Sequence, residues 1–356
     1  MSKKIVLTGG GTAGHVTPNM ALIPELKEKG YEISYIGSHT GIEKKLIADY
    51  HIPYFSISTG KLRRYFDPKN FSDPFRVMKG FFEARQLLKK INPDVVFSKG
   101  GFVSVPVIRA ASTLKIPCIL HESDMTPGLA NRLSFSSART ICCNFPETLD
   151  LLPPDKAVLT GTPIRKELLK GSREAGKKLC GFTDDKPVIM VTGGSLGAQS
   201  INETIRYALP RLLPHFNIVH LCGKDKMDNL KLSMEGYKQF EYVKNEMKDI
   251  FAMADVVVSR AGANAICELA ALRKPNVLIP LSAKSSRGDQ IINAKSFEKQ
   301  GFSVVIDNEE LDEDILVESI FAVYEERDKY IAKMCESNQS GATETILKLI
   351  DEAATK

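Results

Sequence analysis

The stretch KIVLTGGGTAGH, residues 4–15, decides the fold of this 356-residue chain. A short apolar run rich in β-branched residues leads into glycines, and residues 16–29 then carry apolar side chains at helical spacing. A strand, a glycine loop and a helix N-terminus form an arrangement that binds phosphate, because glycines allow close backbone approach and the helix dipole faces the anion. His15 directly follows the last glycine, which makes its imidazole a candidate general base.

Composition is typical of a globular protein that works in a reducing compartment. The hydrophobic fraction of 43% and the charged fraction of 26% are ordinary, and the length predicts two domains of about 150 residues each. Seven cysteines, an odd number without a CxxC pair, argue against a disulfide framework. We expect no signal peptide and no membrane span, since no apolar run approaches about 18 residues. The net charge of +5 suits anionic small molecules or a membrane surface and is too weak to indicate DNA.

Short apolar runs alternate with helical patterns along both halves of the chain, which predicts βαβ units and parallel sheets. A helix is expected over 342–354, docked on one of the domains. In the first half we expect strands at 31–36, 51–58, 94–97, 116–120, 140–143 and 157–159. In the second half we expect them at 188–191, 218–221, 240–243, 256–258, 277–279 and 304–306.

The two halves also resemble each other. Residues 94–101 and 255–262 each contain an apolar strand, a serine, a basic residue and a glycine. Two doubly wound domains bind ligands at the carboxyl ends of their strands. The pattern therefore predicts a ligand site in a cleft between two similar halves.

Residues 61–90 differ from this pattern, because basic and aromatic side chains interleave there. One interpretation is an amphipathic helix over about 74–91 that packs its aromatic side chains on the sheet. The other is that part of this face stays exposed and lies on an anionic bilayer, with the basic side chains at headgroup level. Both interpretations can hold for different residues.

Two common cofactor signals are incomplete. Gly9, Gly11 and Gly14 match the dinucleotide-binding fingerprint, which also expects an acidic residue about 20 positions later, at the end of the second strand. That strand ends in YIGS, residues 35–38, without an acid, so a nicotinamide or flavin enzyme is disfavoured. The literal Asp-x-Asp match, residues 312–314, lies in an acidic helix start and not at a strand end. We expect no cofactor and no essential protein-bound metal.

Two motifs in the second half suit a nucleotide. Ser195 lies in a second glycine loop, residues 193–197, whose backbone N–H groups would bind a diphosphate at a helix N-terminus. Glu268 lies about one turn into the helix expected after Gly262. A carboxylate there accepts hydrogen bonds from both hydroxyls of a ribose, and a surface salt bridge is the alternative interpretation.

Two further pairs combine polar side chains at element ends. His121 and Glu122 end a predicted strand, where an adjacent acid and imidazole favour a functional role over a structural hydrogen bond. Asp289 and Gln290 open a predicted helix and suit the recognition of sugar hydroxyls.

With these residues in view, the chain resembles the family of bacterial peptidoglycan glycosyltransferases that transfer N-acetylglucosamine from UDP-GlcNAc onto undecaprenyl-linked muramyl-pentapeptide (lipid I) to give lipid II. The resemblance covers nearly the whole chain. Its carriers are GGTAGH at 10–15, GGFVS at 100–104, HE at 121–122, GTPIR at 161–165, GGSLGA at 193–198, and residues 261–268 and 289–290.

The resemblance implies an α/β fold of the GT-B type, with two doubly wound Rossmann-like domains facing a central cleft. Residues 1–162 would form an N-terminal domain that binds the acceptor and associates with the membrane. Residues 163–340 would bind UDP-GlcNAc, and residues 341–356 would form a C-terminal helix docked on the N-terminal domain. Residues 161–181 would be the hinge for a domain closure that excludes water.

The resemblance also implies which residues contact UDP-GlcNAc. Two departures from the family pattern are Ala13, which replaces a glycine, and Asp124, which stands where some relatives have asparagine. The implied contacts are Thr12, Ala13 and Gly14 over the sugar and diphosphate, Arg165 and Ser195 beside the diphosphate, Val243 at the uracil, Glu268 at the ribose and Gln290 at the sugar hydroxyls.

The implied reaction is an inverting transfer in which the muramyl 4-hydroxyl attacks the anomeric carbon and expels UDP. His15 is the first candidate for the base and Glu122 the second. Arg165, Ser195 and helix dipoles would stabilise the leaving UDP. The implied location is peripheral, on the cytoplasmic face of the bacterial cell membrane, with an anionic membrane surface and other cell-wall synthesis proteins as partners and with no nucleic acid.

Three alternatives stay open at this point. One is a GT-B enzyme with a different acceptor, such as a natural-product aglycone. A second is a hydrolase or epimerase of UDP-GlcNAc, which would turn over the donor without an acceptor. A third is a non-catalytic nucleotide-binding protein, which His15, Glu122 and Glu268 at strand and helix ends disfavour.

Overall fold

The computed structural model describes residues 2–60, 69–194, 197–231, 234–283, 288–337 and 341–355. The chain divides into two compact units. Unit 1 comprises Met1–Arg165 and Gly341–Lys356, and unit 2 comprises Lys166–Ser340. The division falls after Arg165 where the sequence suggested Thr162, so Arg165 belongs to unit 1.

Unit 1 is built on a seven-stranded sheet of order β3-β2-β1-β4-β5-β6-β7. All its pairings are parallel, as expected for βαβ units with helices on both faces. The strands are β1 Lys4–Thr8, β2 Glu32–Ser38, β3 Tyr54–Ile57, β4 Val95–Ser98, β5 Cys118–Glu122, β6 Thr140–Cys143 and β7 Ala157–Leu159. The helices are α1 Thr17–Glu28, α2 Ile42–Ala48, α3 Lys69–Ile91, α4 Ser104–Thr113 and α5 Leu129–Ser134, with 3-10 helices at Ala13–His15, Phe135–Ser137 and Pro146–Leu151.

Unit 2 repeats the design with a six-stranded parallel sheet of order β10-β9-β8-β11-β12-β13. Its first helix is α6 Arg173–Cys180, after a 3-10 helix at Lys166–Lys170. The strands are β8 Val188–Thr192, β9 Asn217–Leu221, β10 Tyr237–Phe240, β11 Val256–Ser259, β12 Asn276–Leu278 and β13 Ser303–Val305. The other helices are α7 Gln199–Leu212, α8 Met247–Met253, α9 Ala263–Ala271, α10 Asp289–Lys299, α11 Glu313–Glu325 and α12 Arg327–Cys335, with a 3-10 helix at Asn229–Lys231.

The last helix, α13 Ala342–Ala354, returns to unit 1. Ile346, Leu347 and Ile350 are buried in the same core cluster as the β1 side chains Ile5 and Leu7. Polar contacts fix the far end of the helix, because Asp351 accepts hydrogen bonds from Lys29 Nζ at 2.7 Å and from Tyr31 Oη at 2.6 Å. The expected docking of this helix on the N-terminal domain is thus observed.

The strand that the sequence predicts at 240–243 lies three residues earlier in the structure. β10 spans Tyr237–Phe240 and pairs with Ile218–Leu221 of β9. Its buried side chains are Tyr237 and Gln239, whereas Val243 is buried from the loop that follows. The prediction failed because the polar Gln239 is buried inside the strand, whereas the apolar Val243 lies beyond its end.

The segment 161–181 contains the boundary between the two units and is partly helical. Residues 166–170 are a 3-10 helix, and residues 173–180 are α6, which packs against α8. Its glycines serve close packing: a Cβ on Gly171 would lie 2.0 Å from the Lys248 carbonyl oxygen, and one on Gly176 would lie 2.4 Å from that of Asp249. The chain passes from unit 1 to unit 2 between Arg165 and Lys166.

Helix α3 begins earlier than the expected start at Pro74 and divides its side chains between core and solvent. Ala84 and Leu88 are buried against the sheet, whereas Phe75 is 74% exposed and Met78 and Phe82 are each 57% exposed. The residues 61–68 that precede it lie outside the described part of the chain. One face of this helix therefore packs in the core of unit 1, and another face is exposed.

Three observations complete the fold. Cys142 and Cys143 lie in the core of unit 1. All seven cysteines are free thiols. Among the described helices, none combines the length and the apolar character needed to span a membrane.

Candidate functional site

The strand order of unit 1 reverses direction between β1 and β4, and this is the place where doubly wound sheets bind ligands. The loops after these two strands, residues 9–12 and 99–103, meet at backbone distance. A Cβ on Gly101 would lie 2.1 Å from the Gly10 carbonyl oxygen, so glycine is required there for close approach as well as for its φ of 81°. Tyr35 Oη donates to the Gly9 carbonyl at 2.7 Å and fixes the start of the loop.

The loop ends in a 3-10 helix, Ala13–His15, that presents His15 half-buried at the rim. Its backbone N–H donates to the Thr12 carbonyl at 3.2 Å. Thr12 Oγ1 also lies 2.8 Å from His15 Nδ1. The contact with the Thr12 hydroxyl orients the imidazole at the end of the glycine loop.

A buried carboxylate lies behind the glycine loop. Glu43 is fully buried and accepts hydrogen bonds from the Gly11 N–H at 3.3 Å and from the Ser38 N–H at 3.0 Å. A Cβ on Gly10 would lie within 2.6 Å of this carboxyl group. The Gly11 N–H is thus hydrogen-bonded to a carboxyl group of the protein itself. The sequence hid this role, since a glutamate in the first turn of a helix also suits the dipole at a solvated surface.

His121 and Glu122 do not act as a pair, because neighbouring residues of a strand point to opposite faces of the sheet. His121 is fully buried, accepts from Lys99 Nζ at 2.7 Å through Nδ1, and donates from Nε2 to the Gly161 carbonyl at 2.8 Å. Burial and the Lys99 ammonium hold the pKa of His121 well below its ordinary value. The imidazole is therefore neutral and joins β4, β5 and the segment after β7. The sequence pattern at 94–101 includes Lys99 as a basic residue but does not indicate that its side chain is buried.

Glu122 organises the loop between β5 and α5. Its two carboxylate oxygens accept from the N–H groups of Ser123 and Gly128, each at 2.9 Å, from the Asp124 N–H at 3.1 Å and from Asn131 Nδ2 at 2.8 Å. Burial raises the pKa of Glu122, and the hydrogen bonds from Asn131 and Gly128 oppose that rise. With its acceptor positions occupied by four donors, this carboxylate is far less suited to be a base than His15.

A cavity of about 290 Å³ opens beside His15 and Thr12. Its floor is the meeting point of the two glycine loops at Gly10, Gly11 and Gly101. Its walls are apolar side chains from the second loop and from helices α3, α4 and α5, namely Phe102, Val77, Val105, Leu129 and Leu133.

Unit 2 carries its polar residues at the same edge of its own sheet. The strand order reverses between β8 and β11, so the loops at 193–198 and 260–262 adjoin. Gly197 has a φ of 67°, and a Cβ there would lie 1.9 Å from the Cys222 carbonyl oxygen. α7 begins directly after this loop, as expected for a diphosphate site. Ser195, the predicted diphosphate contact, lies outside the described residues.

Arg260, the basic residue of the 255–262 pattern, connects these loops through hydrogen bonds. Its guanidinium donates to the carbonyl of Ile279 at 3.1 Å, to Asn308 Oδ1 at 2.7 Å and to Ser200 Oγ at 3.0 Å. The carboxyl ends of β11 and β12 and the start of α7 are therefore held in one arrangement.

The remaining predicted donor contacts fall into two groups. Glu268 is half-buried on α9, and Gln290 is half-buried at the start of α10, so both follow the central strands β11 and β12. Gln290 Oε1 accepts from the Leu281 N–H at 3.0 Å, which leaves its amide nitrogen as the donor for a ligand. Val243 follows β10, two strands from β8 along the same edge. Arg165 is the half-buried last residue of unit 1 before the chain enters unit 2.

In the part of the chain that the structure describes, no three His, Cys, Asp or Glu side chains are grouped closely enough to hold a metal ion.

Comparison with known proteins places both halves of the chain. The glycosyltransferase family 28 N-terminal domain matches residues 5–143, and the glycosyltransferase family 28 C-terminal domain matches residues 188–349. The chain is 60% identical over 350 residues to the UDP-N-acetylglucosamine--N-acetylmuramyl-(pentapeptide) pyrophosphoryl-undecaprenol N-acetylglucosamine transferase of Lachnospira eligens, covering 98% of this chain and 99% of that protein. A transferase of the same name from Lachnoclostridium phytofermentans is 60% identical over 354 residues, which are 99% of this chain and 100% of the relative.

A solved structure agrees with these relatives. The crystal structure of MurG from Acinetobacter baumannii matches with a TM-score of 0.78 and 26% identity, over 98% of this chain and 99% of that one. The similarity therefore extends over both units.

Proposed function

The chain belongs to glycosyltransferase family 28, and on that basis we propose that it transfers N-acetylglucosamine from UDP-GlcNAc to the muramyl 4-hydroxyl of undecaprenyl-pyrophosphoryl-MurNAc-pentapeptide. The product is lipid II, the disaccharide precursor of peptidoglycan. The observation that carries the proposal is 60% identity, over 98% of the chain, to a transferase named for this reaction.

Within this reaction His15 is the general base. The acceptor 4-hydroxyl loses its proton to His15 Nε2 as its oxygen forms a bond to the anomeric carbon of the donor sugar. The bond between that carbon and the diphosphate oxygen breaks, its electron pair leaves with UDP, and inversion gives a β-1,4 link. The argument for His15 over Glu122 is that the half-buried imidazole of His15 lines the cavity, whereas the Glu122 carboxylate is 5% exposed and accepts four hydrogen bonds.

The donor contacts are assigned to the loops of unit 2 and to Arg165. Glu268 accepts from the ribose hydroxyls, the Gln290 amide nitrogen donates to the sugar, and Val243 packs on the uracil. Arg165, Ser195 and the backbone N–H groups at the start of α7 stabilise the negative charge that develops on UDP. Thr12, Ala13 and Gly14 cover the sugar from the loop that carries His15.

The outer face of α3 is the part of unit 1 that we assign to an anionic membrane surface. Phe75, Met78 and Phe82 are more than half exposed, and the cationic side chains Arg76 and Lys79 on the same helix are exposed as well. Apolar side chains flanked by cationic ones are what an interfacial helix presents to an anionic bilayer. The lipid-linked acceptor would be reached from this surface, on the cytoplasmic face of the membrane.

Transfer of radiolabelled sugar from UDP-GlcNAc to a lipid I analogue, with EDTA present, tests the proposed function. Label on the lipid is the expected result and would establish donor, acceptor and independence of a chelatable metal together. Donor consumption with no label on lipid would contradict the proposal and indicate an epimerase or hydrolase. Binding of UDP without turnover would show that the acceptor is a different molecule.

A further inference from the structure

The apolar cavity beside His15 is built for an uncharged group. Lys, Arg, Asp and Glu are absent from the described residues that line it, and its only titratable lining residue is His15. The walls are the side chains of Val77, Val105, Leu129 and Leu133, with the ring of Phe102. A small apolar pocket next to a single polar group is the usual form of a specificity subsite.

The charge behind the floor of the cavity points the same way. Gly10 and Gly11 line the cavity, and the Gly11 N–H donates to the buried carboxyl group of Glu43. An anionic ligand group in the cavity would approach this carboxyl group, and no cation is among the described residues that line the cavity. The diphosphate of the acceptor is therefore disfavoured as the occupant.

The position of His15 selects among the uncharged parts of the acceptor. If His15 takes the proton of the 4-hydroxyl, the cavity next to it receives a substituent on a neighbouring ring carbon. Those substituents are the hydroxymethyl group at C5 and the ether-linked lactyl amide at C3, which is the group that distinguishes a muramyl sugar from N-acetylglucosamine. The lactyl arm carries a methyl group that the apolar walls favour, and the hydroxymethyl group carries none.

We propose that this cavity is the subsite for the 3-O-lactyl amide of the acceptor sugar, and that its apolar walls select a muramyl acceptor over an N-acetylglucosaminyl one. The inference rests on the proposed function, because it places the 4-hydroxyl at His15. It adds a specificity role for Leu129, Leu133 and Phe102.

The test narrows the cavity with Leu129→Trp, at a position whose 41% exposure tolerates a larger side chain. The matched control is Leu151→Trp, at a 51% exposed leucine of unit 1 outside the cavity. Two lipid-diphosphate acceptors are compared, one with a muramyl amide sugar and one with N-acetylglucosamine in its place. For each, KM is measured, or the inhibition constant against the muramyl acceptor when the analogue is not turned over.

Leu129→Trp is expected to raise KM for the muramyl acceptor at least about 10-fold, the effect of a lost apolar fit. The constant for the analogue without the lactyl arm and the KM for UDP-GlcNAc should stay unchanged, and Leu151→Trp should match the wild type throughout. The proposal is overturned if Leu129→Trp weakens both acceptors equally, or if it behaves like Leu151→Trp. Failure of the proposed function looks different, since the wild type itself would then transfer no sugar to the muramyl acceptor.

Discussion

Thr12 Oγ1 lies 2.8 Å from His15 Nδ1, within a single turn of 3-10 helix. A proton on Nδ1, donated to the hydroxyl oxygen, leaves Nε2 as the basic nitrogen of the neutral ring. The threonine would in this way set both the tautomer and the direction of the base.

Replacement of the base gives the first prediction. His15→Ala should lower kcat about 100-fold to 10,000-fold, the usual cost of losing a general base, while UDP binding is retained. Thr12→Val should also lower kcat, because the ring loses its partner, whereas Thr12→Ser keeps the hydroxyl and most of the rate. Steady-state transfer kinetics and UDP titration measure the two effects separately. A His15→Ala enzyme that keeps more than about a tenth of the wild-type kcat would exclude His15 as the base.

The variant Glu122→Gln tests whether Glu122 orders the loop between β5 and α5 or acts as the general base. An amide nitrogen facing backbone donors would destabilise the fold by about 1–3 kcal/mol, because buried donors lose their acceptor. Activity should fall through the displaced loop while the pH dependence of kcat keeps its shape. Thermal unfolding and a pH–rate profile provide the measurements. Loss of the acidic limb of the profile, with unchanged stability, would instead make Glu122 the base.

The ribose assignment is tested with a modified donor. Glu268→Gln should raise KM for UDP-GlcNAc about 10-fold or more, the effect of weakening a charged hydrogen bond. The wild type should lose a similar factor with the 2′-deoxyribose donor, and the variant should lose little more with that donor. If the losses caused by Glu268→Gln and by the 2′-deoxyribose donor are independent and simply add, Glu268 does not contact the 2′-hydroxyl.

Membrane attachment should depend on the outer face of α3. The double variant Phe75→Ser with Phe82→Ser should reduce partitioning onto anionic vesicles at least about 10-fold, because two exposed phenyl groups no longer enter the interface. Salt should release the wild type. Leu230→Ser, at a 96% exposed leucine of unit 2, is the matched control and should sediment like the wild type. Equal sedimentation of all three proteins would place the membrane contact elsewhere.

Acid should weaken unit 2 through His220. Burial and the nearby Arg206 lower the pKa of this histidine to about 3 in the folded chain, against about 6.5 when unfolded. The unfolded state therefore binds the proton first, so this contribution to stability is complete above pH 6.5 and is lost as the pH falls towards 3. At pH 5 the loss is about 2 kcal/mol.

Thermal unfolding at pH 7.5 and pH 5 checks this prediction. The difference in Tm between wild type and His220→Gln should shrink on acidification, because the variant has no imidazole to protonate at this position. The exposed His39, replaced by glutamine, is the control and should show a constant difference. A Tm difference between wild type and His220→Gln that is larger at pH 5 than at pH 7.5 would contradict the assignment of this acid sensitivity to His220.

The sequence predicted the sheets well, because buried parallel strands such as Val95–Ser98 and Val256–Ser259 read as continuous apolar runs. It misplaced β10, since Gln239 is buried and Val243 lies beyond the strand. Pairing with β9 fixes that register, and pairing is a long-range property that a local pattern does not contain.

The candidate site was predictable where one residue type at one position carries the chemistry. His15 after the glycine loop is such a position, and in the structure it lines the cavity of unit 1. The burial of Glu43 and Lys99 was missed, because a charged side chain is expected to be solvated until the fold shows it buried and hydrogen-bonded. The close packing of Gly171 and Gly176 was missed for a similar reason, since the carbonyl groups that they approach lie far away along the chain.

The return of α13 to unit 1 has a consequence for how the protein is made. Unit 2 is a continuous segment, Lys166–Ser340, whereas the core of unit 1 includes Ile346, Leu347 and Ile350 near the end of the chain. During synthesis the ribosome exposes all of unit 2 before it releases these last residues. The first unit to be translated is thus the last to be completed, and one apolar face of its sheet stays uncovered until α13 has been synthesised.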